Sequence, residues 1–322
     1  MPAGALVSVV VPSRNYGRYL AEAVGSIRAQ GVAGVEILVV DDGSTDGTPE
    51  VLAALAGPDL RAFRLEGQGV SAARNLGIEQ ARGRYLAYLD ADDRWLPGKL
   101  ARQLDVLKSE PGVGFVFSNF VRFGPEGRYP NTQFDFIPGL AGLGKRPSRG
   151  GDGFVLEGDT LESLAGVEQF PTWVQTVLMR REGADDLRFP VGVRQNEDQH
   201  YMYRVYQRFR AAWIESPLVE VRRHGENSYR GGADKLVPEV EVLQSLLGEP
   251  FTPRHRGVLE RRLGRAWAAL GYHHFWRRGP LESGRAYLHA LGHPGVRLTS
   301  AAHLLALPIV PFLPRRPDGQ PG

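Results

Sequence analysis

Val39-Val40-Asp41-Asp42-Gly43-Ser44-Thr45-Asp46 and, further along, Tyr88-Leu89-Asp90-Ala91-Asp92-Asp93 share one design: a short apolar run of β type that stops abruptly in carboxylates. In an open α/β sheet, ligands bind beyond the carboxyl ends of the strands, so two acidic strand ends in one sheet converge on one crevice. Carboxylates gathered there suit a divalent cation and the hydroxyls of a ribose or sugar.

The flanking sequence supports such a sheet. Leu6 to Val11 reads as a buried strand closed by Pro12, and Asn15 is placed to cap a helix with Leu20, Ala23, Val24 and Ile27 as its inward stripe. Val35–Val40 is the second strand, and Asp46 or Thr45 opens a helix with Pro49 in its first turn. Residues 60–65 form a third strand, 70–82 a helix and 84–89 the next strand; Pro97 starts a helix carrying Leu100, Leu104 and Leu107, and residues 113–123 return as a strand. Strands alternating with helices at this spacing predict an α/β fold with a mainly parallel sheet covered on both faces. The expected organisation is residues 1–123 as one half of the domain and 124–153 as a flexible loop or lid, dense in Gly, Pro and Arg. Residues 154–235 form the other half and 236–322 a basic helical extension.

Within the 322 residues there is no cysteine, which excludes a disulfide framework and thiolate metal sites and fits a reducing, cytoplasmic compartment. Met1-Pro2-Ala3-Gly4 runs into a strand without a basic stretch, which argues against a signal peptide. The net charge of +3 is uneven: residues 251–322 hold eleven Arg against Glu260, Glu282 and Asp318, a net +8, leaving −5 for residues 1–250. Such a tail favours an anionic partner or is a solvated helix face. Leu298, Leu304, Leu305, Leu307, Ile309, Val310, Phe312 and Leu313, flanked by Arg297, Arg315 and Arg316, could rest on the inner face of an anionic membrane; flotation on anionic liposomes tests this. The apolar run 301–313 is short of the roughly 20 residues needed to span a bilayer.

Each motif has a plain structural reading beside its chemical one. Asp90-Ala91-Asp92 can share a hard cation with substrate phosphates, or Asp92 and Asp93 can cap a helix. Asp41-Asp42-Gly43-Ser44 can receive a base or ribose, or form an Asx turn. Arg74, in the helix opened by Gln68-Gly69-Val70-Ser71-Ala72-Ala73-Arg74-Asn75, is a phosphate or ribose contact or a surface Arg. Glu197-Asp198 begins an aromatic-rich helix whose N-terminus stabilises anions. No G-x-G-x-x-G follows the first strand, where Pro12-Ser13-Arg14-Asn15-Tyr16-Gly17 stands instead, so NAD chemistry is disfavoured, and there is no Walker loop.

The ordered set of strand-Pro, strand-DDGS-x-D, G-x-S-x-A-R-N, strand-D-x-D-D and a later Glu-Asp resembles the family 2 glycosyltransferases of the GT-A fold across residues 6–228. The resemblance implies a Rossmann-like sheet sandwiched by helices and an inverting transfer of one sugar from a nucleotide-diphosphate sugar. UDP is the commonest carrier, and the acceptor would be a glycan, a lipid-linked glycan of cell-envelope polysaccharide biosynthesis or a small molecule; no nucleic-acid partner is expected. It implies Pro12 and Arg14 at the base site, Asp41 and Asp42 at the base or ribose, Arg74 beside the nucleotide and Asp90 on the ribose or donor sugar. Asp92 would ligate Mg²⁺ or Mn²⁺ on the diphosphate with His224 as a further ligand, and Asp198 would be the general base.

Two departures qualify the resemblance. Processive members carry Q-x-x-R-W, but Gln207-Arg208-Phe209-Arg210-Ala211 has Ala for Trp. Gly183-Ala184-Asp185-Asp186-Leu187-Arg188-Phe189 follows the family's Gly-Phe-Asp-Glu approach only loosely, so the acceptor side is less constrained than the donor side. Competing readings are a sugar nucleotidyltransferase, which would need a Gly-rich phosphate loop after the first strand, and a non-catalytic binding protein, against which Asp90, Asp92 and Asp198 together argue.

Overall fold

The computed structural model describes residues 6–164, 167, 169–193, 195–225, 236–277 and 279–306. The chain divides into two compact units, residues 1–226 and 227–322.

In the first unit, β1 (Val7–Ser13), β2 (Val35–Asp42), β3 (Leu60–Leu65) and β4 (Tyr85–Tyr88) pair in parallel in the order β3-β2-β1-β4. Strands buried on both faces need continuous apolar runs, and β1, β2 and β4 are inaccessible along nearly their whole length. Alternation divides them. Val7, Val9 and Val11 join one core with Leu20, Ala23, Val24 and Ile27 of α1 (Gly17–Arg28), while Val10 faces the opposite side. There α3 (Val70–Gln80) lies so close that a Cβ on Gly77 would sit 2.3 Å from Val10 Cγ1. Between these elements, α2 (Thr48–Ala54) carries the expected proline in its first turn.

Beyond β4 the sheet becomes mixed. After the two-residue β5 (Arg94–Trp95) and α4 (Lys99–Ser109) comes β6 (Phe115–Gly124), hairpinned to β7 (Gly127–Thr132). Then follow β8 (Lys145–Pro147), β9 (Gly153–Leu156), α5 (Thr160–Ser163), β10 (Leu178–Arg180), α6 (Glu197–Arg208) and β11 (Ala211–Arg222). The full order is β3-β2-β1-β4-β10-β6-β11-β9-β8, with β10 antiparallel between β4 and β6, and β11 parallel to β6. The sheet is therefore mixed and largely parallel, and it runs through both predicted halves.

Residues 124–153, read from composition as an irregular loop, contain β7, β8 and two 3₁₀ turns at Phe134–Phe136 and Pro138–Leu140. Ile137, Leu140 and Val167 form a small core of their own there, with Phe134 and Leu143 against it. Ahead of β10 the chain makes a 3₁₀ turn, Val174–Thr176, in which both the amide and the hydroxyl of Thr176 bond to the Trp173 carbonyl.

The second unit is helical: α7 (Leu236–Leu247), α8 (Pro253–Trp276), α9 (Pro280–Leu291) and α10 (Arg297–Ala306). Thr252 caps α8 by accepting from the His255 amide, with Pro253 in the first turn. Leu243, Leu246, Val258, Leu259, Tyr287 and Ala290 are buried within it. Of the apolar tail expected at a membrane, α10 covers residues through Ala306, with Leu305 84% exposed; residues 307–322 lie outside the described residues. Among the described residues no helix is long and apolar enough to cross a membrane.

Candidate active site

The carboxyl end of β2 is wired into its neighbours. Asp42 is buried, and its two oxygens accept from the amides of Gln68 (2.7 Å) and Gly69 (2.8 Å), directly before α3. Gly69 has φ +92°, a conformation open to glycine. Asp41 accepts from the Ser44 amide at 3.0 Å and pairs with Arg64. Both aspartates thus hold loops at the end of β2. Arg14 remains 57% exposed, 3.8 Å from Asp42. Pro12 stands beyond the last β1–β4 rung, Val10↔Tyr88, where a missing N–H costs no ladder bond.

Asn15 does not cap α1. It sits at φ +59° and accepts from the Thr45 amide at 2.8 Å, while Asp46 accepts from the Gly17 amide at 3.1 Å and so takes over the capping from a neighbouring loop. The buried hydroxyls of Ser13 and Ser71, at the end of β1 and the start of α3, have no protein partner among the described residues.

Arg74 is the hub between the halves. Only 4% exposed, it donates to Asp90 Oδ1 and Glu197 Oε1, each at 2.8 Å, and lies over the ring of Phe189. Burial opposes its charge, but Asp90, Glu197 and Asp198 outweigh burial and push its pKa upward. Asn75 makes a two-bond clasp with the backbone of Phe189, and Phe189 stacks on Tyr201 of α6 at 4.0 Å between centroids. Adjacent residues of α3 thereby fix the N-terminus of α6. Asp198, in its first turn, is half-buried and accepts from the Gln199 amide. Burial, then Glu197, push its pKa up to about 7, against the pull of Arg74.

The D-x-D-D loop is bound to the end of β11. Asp93 is buried and accepts from the Arg222 amide at 2.8 Å and Gln175 Nε2 at 3.1 Å; burial, then Asp92 and Asp90, push its pKa well up. Arg222 donates Nε–H to the Asp92 carbonyl, also reaches Glu22, and lies over Tyr19. Asp92 Oδ2 is 3.0 Å from His224 Nε2, and the imidazole is flanked by Tyr16 and Tyr19. Burial, then Asp90, raise the Asp92 pKa, which His224 partly offsets. Among the described residues no cluster of three or more acidic or histidine side chains could hold a metal alone. One carboxylate and one imidazole would hold a divalent cation only together with oxygen ligands supplied by substrate and water.

The structure thus gathers Asp90, Asp92, Arg74, Asp198 and His224 around one end of the sheet, with Asp41, Asp42, Pro12 and Arg14 along its β1–β2 side. Sequence reasoning missed Glu197 as the second partner of Arg74, and Phe189, Gln175 and Arg222 as supports. Each acts across a long sequence separation, and no local pattern marks it. Asp93 was read only as a helix cap, whereas it anchors the loop to β11.

A largely parallel α/β sheet with acidic strand ends bound to a Glu-Asp helix defines the GT-A class. Residues 8–159 match the family described as Glycosyl transferase family 2, and this part of the chain is a family 2 glycosyltransferase domain. An uncharacterized glycosyltransferase of Nostoc sp., alr2836, is 40% identical over 113 residues, 34% of this chain and 35% of its own length. TuaG of Bacillus subtilis, named for teichuronic acid biosynthesis, is 38% identical over 136 residues, 41% of this chain and 53% of its own. The matches therefore span about half or less of these relatives. Among solved structures, S. aureus TarS 1–349 in complex with UDP-GlcNAc has a TM-score of 0.64 at 18% identity, covering 95% of this chain and 86% of that one. Mannosyltransferase PcManGT from Pyrobaculum calidifontis, in complex with GDP-Man and Mn²⁺, has a TM-score of 0.59 at 21% identity, covering 95% and 80%. At these identities the likeness shows the fold.

Proposed function

We propose that the chain transfers one sugar from a nucleoside-diphosphate sugar to a hydroxyl acceptor by single displacement, inverting the anomeric centre. The observation that carries this reading is the joining of Asp90, Arg74, Glu197 and Asp198 into one network at the carboxyl ends of β4 and the start of α6. Pro12, Arg14, Asp41 and Asp42 line the base and ribose side, where the hydroxyls of Ser13 and Ser71 supply further polar contacts. Arg74 holds Asp90 ready for the ribose or sugar. Asp92 and His224 would hold the divalent cation, which neutralises the charge gathering on the departing diphosphate. The solved neighbours bind UDP-GlcNAc, UDP or GDP-Man, which supports a nucleotide-sugar donor, with UDP-sugars first.

Asp198 removes the proton of the attacking hydroxyl. A carboxyl with a pKa near the working pH is both available as a base and strong enough to accept. The acceptor is a glycan or lipid-linked glycan, and the basic tail approaches an anionic membrane face. The stereochemistry tests the mechanism: NMR of the product formed from an α-linked donor is expected to show a β linkage. An α-linked product would contradict single displacement.

A further inference from the structure

Guanidinium groups set into the first unit are met by carboxylates or by backbone carbonyls: Arg74 has Asp90 and Glu197, Arg94 has Glu22 and Glu220, Arg222 has Glu22, and Arg180 donates to the carbonyls of Val113 and Leu107. Among the described residues Arg122 of β6 has neither. Half-buried, it donates to Gln133 Oε1 at 2.6 Å and otherwise lies over the rings of Phe120, Phe136 and Trp173, 5.1–5.7 Å from their centroids. Among the described residues it has no carboxylate partner. Its neighbouring cation is Arg223; burial, then Arg223, hold the Arg122 pKa down, to about 10. A cation desolvated by aromatic rings and pressed by a second cation gains from a bound anion.

Its place in the fold says what that anion belongs to. Arg122 pairs with Val221, one residue before the Arg222 whose amide holds Asp93, and Trp173 stands two residues before Gln175, which also holds Asp93. The group therefore flanks the D-x-D-D loop. It comes from β6, on the far side of β10 from β1, β2 and β4, which carry the donor-side residues. Phe136, 46% exposed, offers a face for a sugar ring beside the charge.

We propose that Arg122, with Gln133, Trp173 and Phe136, is an acceptor subsite for a sugar unit bearing a phosphate or carboxylate, which the guanidinium receives through its paired N–H groups. This rests on the glycosyltransferase reading. The test titrates the full chain, loaded with UDP and Mg²⁺, with glucose 6-phosphate, methyl glucuronide and neutral methyl glucoside, followed by protein NMR. The charged sugars are expected to bind roughly tenfold more tightly than the neutral one. Whichever charged sugar binds better names the anion.

In Arg122→Met this advantage disappears while UDP affinity and thermal unfolding stay unchanged. Arg122→Gln is read the same way should the Met variant not fold. Equal binding of charged and neutral sugars by the wild type, or full discrimination kept in the variant, overturns the proposal. Absence of UDP binding in the folded wild type would instead count against the glycosyltransferase reading.

Discussion

Asp198→Asn is expected to lower turnover by about 10²–10⁴ while leaving nucleotide affinity near the wild-type value, because the amide keeps the shape but cannot take a proton. The wild type has its own signature. Burial and Glu197 push the Asp198 pKa up to about 7, with Arg74 pulling down and Asp90 pushing up across the crevice. The base works only as carboxylate, so kcat/KM should rise with pH through about 7 and then level, and this limb should vanish in the variant. Stability moves the opposite way. An acid with a raised folded pKa contributes most below its unfolded value and loses that contribution as pH climbs to the folded one. The stability of the wild type relative to Asp198→Asn should thus fall between about pH 4 and pH 7. Unchanged turnover in Asp198→Asn, measured with an identified donor and acceptor, would remove it from the base role.

Arg74→Met should be the most damaging single change to the crevice's architecture. It leaves Asp90 and Glu197 without their shared cation in a mostly buried setting, and breaking a buried pair costs roughly 3 kcal/mol or more. Chemical denaturation of the two proteins measures this. The same change removes a charge that lowers the Asp198 pKa, so the acid limb of any remaining activity should move above pH 7. A variant as stable as the wild type, with the limb unmoved, would show Arg74 to be a peripheral contact.

These two residues also mark how far the sequence could be read. The parallel half was legible because strands buried on both faces must be continuously apolar, as Val9–Val11 and Ile37–Val40 are, and because α1 shows its buried stripe at helical spacing. The start of α6 at Glu197 followed from the Glu-Asp pair and the aromatic residues after it. The mixed half was less legible. β7 is six mostly exposed residues, GRYPNT, paired to β6 on one side, so no apolar alternation announces it. Asn15 misled because Asp46, from the next loop, satisfies the helix end that Asn15 was expected to cap. At the site, the acidic strand ends were visible as motifs, but their partners were not. The Arg74–Glu197 bond spans a sequence separation of 123 residues, and only the assembled sheet brings the two together.

The central claim is that the acidic strand ends form a metal-dependent nucleotide site. Calorimetric titration of the full chain with UDP, GDP and dTDP, each with Mn²⁺ and again with EDTA, tests it most directly. One nucleotide, with UDP first expected, should bind with Mn²⁺ and lose most of its affinity in EDTA. A folded protein that binds none of the three, or binds one equally well in EDTA, would contradict the claim.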